Sequence, residues 1–191
     1  MTHRSIEQFE AIRKEYKKLI IESAIELFAN EGYYNSSISK IAKKAKISKG
    51  LIYNYFESKE ALLIEIIDSG FNEMYDLFDT NKDGILEKHE MKEFIEKTFQ
   101  LLVDNKSFWQ LYFRVSLQPD VFPIVEEKIK SIMEPTMKML VDYFTKRGAD
   151  DPVAEALLFG AMLDGISMDY VFSPSLVPLN KIINAIIKKY C

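Results

Sequence analysis

Residues 36–59 read Ser-Ser-Ile-Ser-Lys-Ile-Ala-Lys-Lys-Ala-Lys-Ile-Ser-Lys-Gly-Leu-Ile-Tyr-Asn-Tyr-Phe-Glu-Ser-Lys. Hydroxyl, amide and ammonium donors dominate this run, and Glu57 is its one carboxylate. Such donors suit phosphate oxygens and base edges. A Lys can donate to O6 and N7 of guanine, and an Asn can pair with N6 and N7 of adenine. Ile38, Ile41, Ala42, Ile47, Ile52 and Phe56 are spaced to pack a small core. That leaves Lys49, Gly50, Tyr53 and Asn54 pointing outward from the second of two short helices. Two such helices around a tight turn form the helix-turn-helix pattern. Gly50 lets the start of the second helix approach a groove floor closely.

A second run offers different chemistry. Residues 79–90 read Asp-Thr-Asn-Lys-Asp-Gly-Ile-Leu-Glu-Lys-His-Glu. Asp79, Asn81, Asp83, Gly84 and Glu90 fall at positions 1, 3, 5, 6 and 12 of the EF-hand loop pattern. Ile85 would offer its carbonyl, Glu87 stands at position 9, and Leu86 fills the apolar eighth place. Tyr75, Phe78, Phe94 and Ile95 resemble the residues of flanking helices. Hard oxygens are what Ca²⁺ takes, and Gly84 permits the sharp turn. A polar helix-helix linker is the competing reading.

The third group is apolar. Phe99, Phe108, Trp109, Tyr112, Phe113, Met133, Met137, Phe144, Phe159, Met162 and Met168 are candidates for an adaptable cavity. For any single one of them, core packing is the stronger reading. Asp164 and Asp169 sit among apolar residues and could supply a polar anchor. Enzyme motifs are missing. The two histidines are His3 and His89, and His89-Glu90 lacks the second His of a His-Glu-x-x-His zinc motif. There is no Gly-x-Ser-x-Gly elbow and no P-loop.

Helices must position all three groups. Ile12, Tyr16, Leu19, Ile20, Ala24, Leu27 and Phe28 recur at three- and four-residue steps, and Gly32 suits the left-handed position that ends that helix. Ser36-Ser37 opens a short helix through Ala45, Ser48 opens another through Tyr55, and Ser58 opens a longer one with Glu60 in its first turn. Later helices are expected near 87–104, 107–117, 121–146, 152–172 and 176–190, with Asp151-Pro152 as cap and first residue of the fourth. Every proline lies after residue 118, and Pro135 should kink its helix. No stretch alternates convincingly as a strand, so the fold class is all-α.

Charge sharpens the division. The 191 residues hold 25 Lys+Arg and 29 Asp+Glu, a formal net charge of -4. Residues 1–59 hold 11 Lys+Arg against 7 Asp+Glu, a net +4, and the remainder carries -8. A basic end is the electrostatic footprint of a phosphate binder. One cysteine, Cys191, allows no intrachain disulfide. No apolar leader opens the chain and no long apolar run crosses it, so a cytoplasmic protein is expected.

The run Ile41-Ala42, Ser48-Lys49-Gly50, Tyr53, Tyr55-Phe56, Ser58-Lys59-Glu60 and Leu62, after Leu27-Phe28 and Gly32-Tyr33, resembles the signature of the tetracycline-repressor (TetR) family over about residues 18–63. The resemblance implies a helix-turn-helix domain at 1–58 and a helical ligand-binding and dimerisation domain at 59–191. It implies phosphate contacts for Ser37, Tyr53 and Lys59, with Lys46, Ser48, Lys49, Gly50 and Asn54 completing the DNA-binding set. That family usually has Gly where this chain has Lys46, a departure costing roughly 1 kcal/mol if the turn is left-handed. An inducer pocket is implied, with Phe99, Trp109, Tyr112, Phe113, Met133, Met137, Phe159, Met162 and Asp164 as its candidate lining. A four-helix dimer interface is implied over the last two helices, where Ala156, Gly160, Ala161 and Gly165 allow close approach and Ile182, Ile183, Ile186 and Ile187 add apolar area. The expected function is a ligand-responsive repressor, dimeric on a palindromic operator, with a small apolar inducer and no required cofactor. Calcium at 79–90, through Asp79, Asn81, Asp83, Ile85 and Glu90, is the added possibility, and a calcium sensor is the alternative.

Overall fold

The computed structural model describes residues 6–78 and 80–191, and the side chains of all of these except 6, 7 and 73–76. Among the described residues there are nine α-helices and no strand. They are α1 (Ile6–Glu31), α2 (Ile38–Ala45), α3 (Lys49–Tyr53), α4 (Lys59–Phe78), α5 (Lys88–Asp104), α6 (Lys106–Ser116), α7 (Phe122–Lys146), α8 (Pro152–Phe172) and α9 (Leu179–Tyr190).

The second half of α1 packs with α2, α3 and the start of α4 into a reading head. Its centre is Ile20, Ala24, Phe28, Ile41, Ile52, Phe56, Leu62 and Leu63, each buried. The first turns of α1 stand clear of that core: Phe9 is 59% exposed and Tyr16 36%. The apolar stripe expected from Ile12 onward therefore enters the core only at Ile20. Gly32 takes φ +85 and its amide donates to the Phe28 carbonyl at 3.1 Å, which ends α1 as expected.

From the head, α4 runs 20 residues into the body and packs chiefly on α7 and α5. Gly70 makes one close approach possible. A Cβ there would lie 2.1 Å from a ring carbon of Phe108 on α6. The body closes with α7 and α8 antiparallel and α9 laid on α5.

Two sequence expectations change. The second short helix ends at Tyr53 rather than Tyr55, because its last turn tightens: Asn54 and Tyr55 donate to carbonyls three residues back, at 3.2 and 2.9 Å. The last helix starts at Leu179, not at 176. Pro178 has no N–H and drives Val177 to an extended backbone, φ -108 and ψ 105, so residues 174–176 form only a 3₁₀ turn. Pro135 lies inside α7, which continues through it.

Candidate nucleic-acid interface

Serine caps set the geometry of the head. The Ser37 hydroxyl accepts from the Lys40 amide at 3.2 Å, Ser48 from Leu51 at 3.1 Å and Ser58 from Ala61 at 3.0 Å. Each cap satisfies an orphan amide and starts a helix in register. The turn between α2 and α3 is built on Lys46, left-handed at φ 55 and ψ 39. Around it the Ile47 amide donates to the Ala42 carbonyl at 3.0 Å and the Lys46 amide to the Lys43 carbonyl at 3.2 Å. This is a Schellman motif, formed without the glycine that usually carries it.

Ile38, Ile41, Ala42, Ile52 and Phe56 are buried as their spacing implies, and Ile47 is half-buried. Lys49, Gly50, Tyr53 and Asn54 are exposed, as are Ser37, Lys46 and Ser48. Tyr53 is 47% exposed, with the Lys49 Nζ 5.8 Å from its ring centroid. Tyr55 is half-buried, and the Arg13 guanidinium lies 5.9 Å over its ring. The Ser37 and Ser48 oxygens accept from the backbone, so their hydroxyl protons remain free to donate to an anion.

The lysines from 17 to 49 divide into two groups. Lys17 pairs with Glu65 at 2.6 Å, Lys18 with Glu22 at 3.8 Å, Lys40 with Glu31 at 2.6 Å and Lys44 with Glu26 at 2.7 Å. Lys43, Lys46 and Lys49 have no carboxylate partner among the described residues. These three ring the turn at steps of three residues, beside Tyr53 and Asn54. Lys43 was one lysine among several in the sequence. Only the ion pairs formed by its neighbours distinguish it.

Lys59 is engaged rather than free. Its Nζ donates to the Tyr33 carbonyl at 3.0 Å and sits 4.1 Å from the Tyr33 ring centroid. The Tyr33 hydroxyl donates to Glu60 at 3.1 Å. Burial, then the Glu60 charge, pushes the Tyr33 phenol above its ordinary range. Glu60 is held below the usual carboxylate range by its own backbone amide and then by the Ser58 hydroxyl. Two contacts invisible in the sequence fasten head to body. The Tyr34 hydroxyl donates to the Asp120 carbonyl at 3.2 Å, and the Arg114 guanidinium to the Asn30 carbonyl at 3.4 Å.

The expected pocket residues divide between two clusters. Trp109, Tyr112 and Phe113 join Phe71 and Phe108 in edge-to-face and tilted contacts, with ring centroids 4.9 Å apart for Phe71 and Tyr112. Phe159 packs instead on Phe144 and Tyr190. Trp109 lines a cavity of about 150 Å³ with Ile21, Ile66, Gly70 and Phe108. Phe99 is buried on α5, and Met133, Met137 and Met162 are half-buried. Asp164 keeps solvent access, yet the protein crowding it pushes its carboxyl above the usual range. Burial, and then the Asp164 charge, pushes the Tyr112 phenol up to about 12. Asp169 is exposed on α8.

Helix α8 is apolar over most of its circumference, with Glu155, Asp164 and Asp169 as its charged residues. Its inner face buries Ala156, Phe159, Leu163 and Val171. Its outer face exposes Val153, Leu157, Leu158 and Phe172 by 53, 56, 61 and 48%. Ala156 thus belongs to the core, whereas Ala161 faces outward, and a Cβ at Gly160 or Gly165 would meet nothing within 4 Å. No helix among the described residues is long and apolar enough to cross a membrane.

In the 79–90 run, Asp79 lies outside the described residues. Gly84 takes φ +74 and Lys82 φ +59. The Asp83 amide donates to Asn81 Oδ1 at 3.0 Å, and the Ile85 amide to Asp83 Oδ1 at 2.8 Å. Leu86 and Glu90 are buried. Glu90 closes a capping box, accepting from the Glu87 amide at 2.9 Å and from Thr80 Oγ1 at 3.3 Å. Among the described residues no three His, Cys, Asp or Glu side chains gather as a metal site.

The family described as "Bacterial regulatory proteins, tetR family" matches residues 20–66. The HTH-type transcriptional regulator YuxN of Bacillus subtilis is 29% identical over 163 residues, covering 83% of this chain and 54% of that protein. The chain thus spans about half the length of that relative. The fatty acid metabolism regulator protein of B. subtilis is 28% identical over 152 residues, 75% of this chain and 77% of that protein. Among solved structures, FadR of Bacillus halodurans superposes with a TM-score of 0.72 at 19% identity, covering 90% of this chain and 95% of that one. FadR of B. subtilis in complex with stearoyl-CoA superposes at 0.71 and 24% identity, with the same coverage. The fold is therefore TetR-like, and the relatives are regulators of transcription rather than enzymes.

Proposed function

We propose, from the premise that this chain is a member of the TetR family of bacterial regulatory proteins, that it is a ligand-released repressor acting as a homodimer on a palindromic operator. One observation carries the DNA-binding part. Lys43, Lys46 and Lys49 stand around the α2–α3 turn without a carboxylate partner among the described residues while neighbouring lysines are neutralised, and Tyr53 and Asn54 share their face. Lys49, Gly50 and Asn54 read base edges; Ser37, Lys46, Ser48, Tyr53 and Lys59 hold phosphates. Lys59 reaches its phosphate from a fixed place beside Tyr33.

The outer face of α8 supports the dimer. Large apolar side chains clustered on one helix face call for a cover, and this chain leaves Val153, Leu157, Leu158 and Phe172 without one. A two-fold pair sets two heads on half-sites about 34–36 Å apart, or a multiple of that. The inducer is apolar, taken among Trp109, Tyr112 and their neighbours. A relative in fold binds stearoyl-CoA, so a long-chain acyl thioester is the first compound to test. Selection of bound fragments from sheared genomic DNA, followed by affinity at several salt concentrations, tests the reading. Log K should fall linearly with log salt. Absent or salt-independent binding refutes it.

A second reading, calcium binding at 79–90, is favoured by the register the fold keeps. Helix α4 ends at Phe78, Gly84 is left-handed, α5 starts at Lys88, and Phe78 meets Phe94 edge-to-face at 4.5 Å between the two helices. Asn81, Asp83, the Ile85 carbonyl and Glu90, with Asp79, are hard oxygen donors of the kind Ca²⁺ takes. Calorimetric titration with CaCl₂ decides. Saturable heat that Glu90→Gln abolishes supports it, and no heat retires it.

A further inference from the structure

We propose that the end of the body farthest from the reading head carries a groove that binds a small pyrophosphate-bearing anion. The groove has a volume of about 670 Å³ and lies between the start of α5 and the end of α7. Lys88 and Lys92 line one wall, one helical turn apart on α5. Lys146 and Arg147 line the other. Residues after 59 hold 14 Lys+Arg against 22 Asp+Glu. Four of those 14 cations converge here, so a local positive site stands in an acidic body.

The cations are only partly neutralised from within, since one carboxylate side chain stands against four of them. The one carboxylate side chain lining the groove, Glu87, is committed to the α5 capping box and to His89 Nδ1 at 3.1 Å. Lys92 has a loose partner in Glu96 at 3.9 Å. Lys88, Lys146 and Arg147 have no carboxylate partner among the described residues.

The geometry selects the ligand class. Cations on two facing walls suit two linked phosphoryl groups better than one. The Arg147 guanidinium is steadied 5.4 Å over the Tyr143 ring, and the Tyr143 hydroxyl is anchored by donating to the Tyr190 carbonyl at 2.7 Å. A guanidinium fork held in place suits bidentate phosphate contact, and the lysines act as point charges. The site is separate from the DNA face. Helix α7 begins beside Asp120, which touches the head through Tyr34, and its 25 residues carry it about 37 Å away.

Calorimetric titration of the full chain with inorganic pyrophosphate, and separately with ADP, tests this at low ionic strength. Saturable 1:1 binding is expected, weakened about tenfold or more by Lys88→Ala and by Lys146→Ala. Lys88→Arg should keep most of it. Lys138→Ala, outside the groove, should change nothing. All four side chains are exposed, so melting curves should match wild type. ADP binding more tightly than pyrophosphate marks a nucleotide; equal or weaker ADP binding marks a pyrophosphate not borne by a nucleoside. No binding of either probe, or equal loss in Lys138→Ala and Lys88→Ala, overturns the proposal. DNA affinity is not read, so this result stands or falls apart from the repressor reading.

Discussion

The reading head and the outer face of α8 both present side chains that the chain itself does not cover, but they do so in opposite ways. The head exposes polar groups on a scaffold pinned by three serine caps and a left-handed turn. Helix α8 exposes leucines, a valine and a phenylalanine on a smooth surface with two open glycines. Polar groups tolerate water and await a partner at little cost. Apolar groups in water cost free energy until they are covered, at roughly 25 cal/mol per Å². On the proposed reading, a partner of the head would come and go, and one on the α8 face would stay.

Breaking the apolar side should have the largest effect. Leu157→Arg puts a charge in the middle of the α8 face, where a partner helix would have to desolvate it. Leu157 is 56% exposed in the single chain, so the monomer should fold normally. Sedimentation should show a monomer, and operator affinity should fall roughly a hundredfold or more as the second head loses its tether. A Leu157→Arg dimer of unchanged stability would move the interface off α8.

Smaller effects come from the polar side, and they separate reading from holding. Asn54→Ala should cost about 1–3 kcal/mol on the best operator and relax the preference at one base position. A uniform loss across all operator variants would make Asn54 a backbone contact instead. Lys43→Ala should lower the slope of log K against log salt by about one, whereas Lys44→Ala should change it less. Lys44 already shares its charge with Glu26 at 2.7 Å. Equal slopes for the two variants would show that the ion pair opens on DNA.

Much of the head is legible in the sequence because its determinants are local. Ser37, Ser48 and Ser58 announce helix starts, and the spacing of Ile38, Ile41, Ile52 and Phe56 announces the buried face. What is not legible depends on residues far apart in the chain. Nothing near Lys40 or Lys44 in sequence reveals that α1 supplies Glu31 and Glu26 to them. Lys88 and Lys92 share a groove with Lys146 and Arg147 only because the fold brings the start of α5 to the end of α7. The division of the aromatic residues, Trp109 and Tyr112 toward Phe71 but Phe159 toward Tyr190, is set by helix packing that periodicity does not rank. The last helix starts at Leu179 for a local reason: Pro178 outweighs the apolar run around it.

The smallest expected effect bears on the one residue where holding DNA and holding the fold conflict. Lys46 keeps φ 55, a region in which any side chain but glycine's is strained. Lys46→Gly should relieve that strain and raise stability by about 0.5–1 kcal/mol, after allowing for the extra freedom glycine has in the unfolded chain. Thermal unfolding would read it as a rise of a few degrees. The same change removes one of three unpaired lysines beside the turn, so operator affinity and its salt slope should fall together. The two measurements should move in opposite directions. A rise in stability with unchanged affinity would make Lys46 a bystander. A fall in stability would mean that its side chain, rather than its backbone, holds the turn.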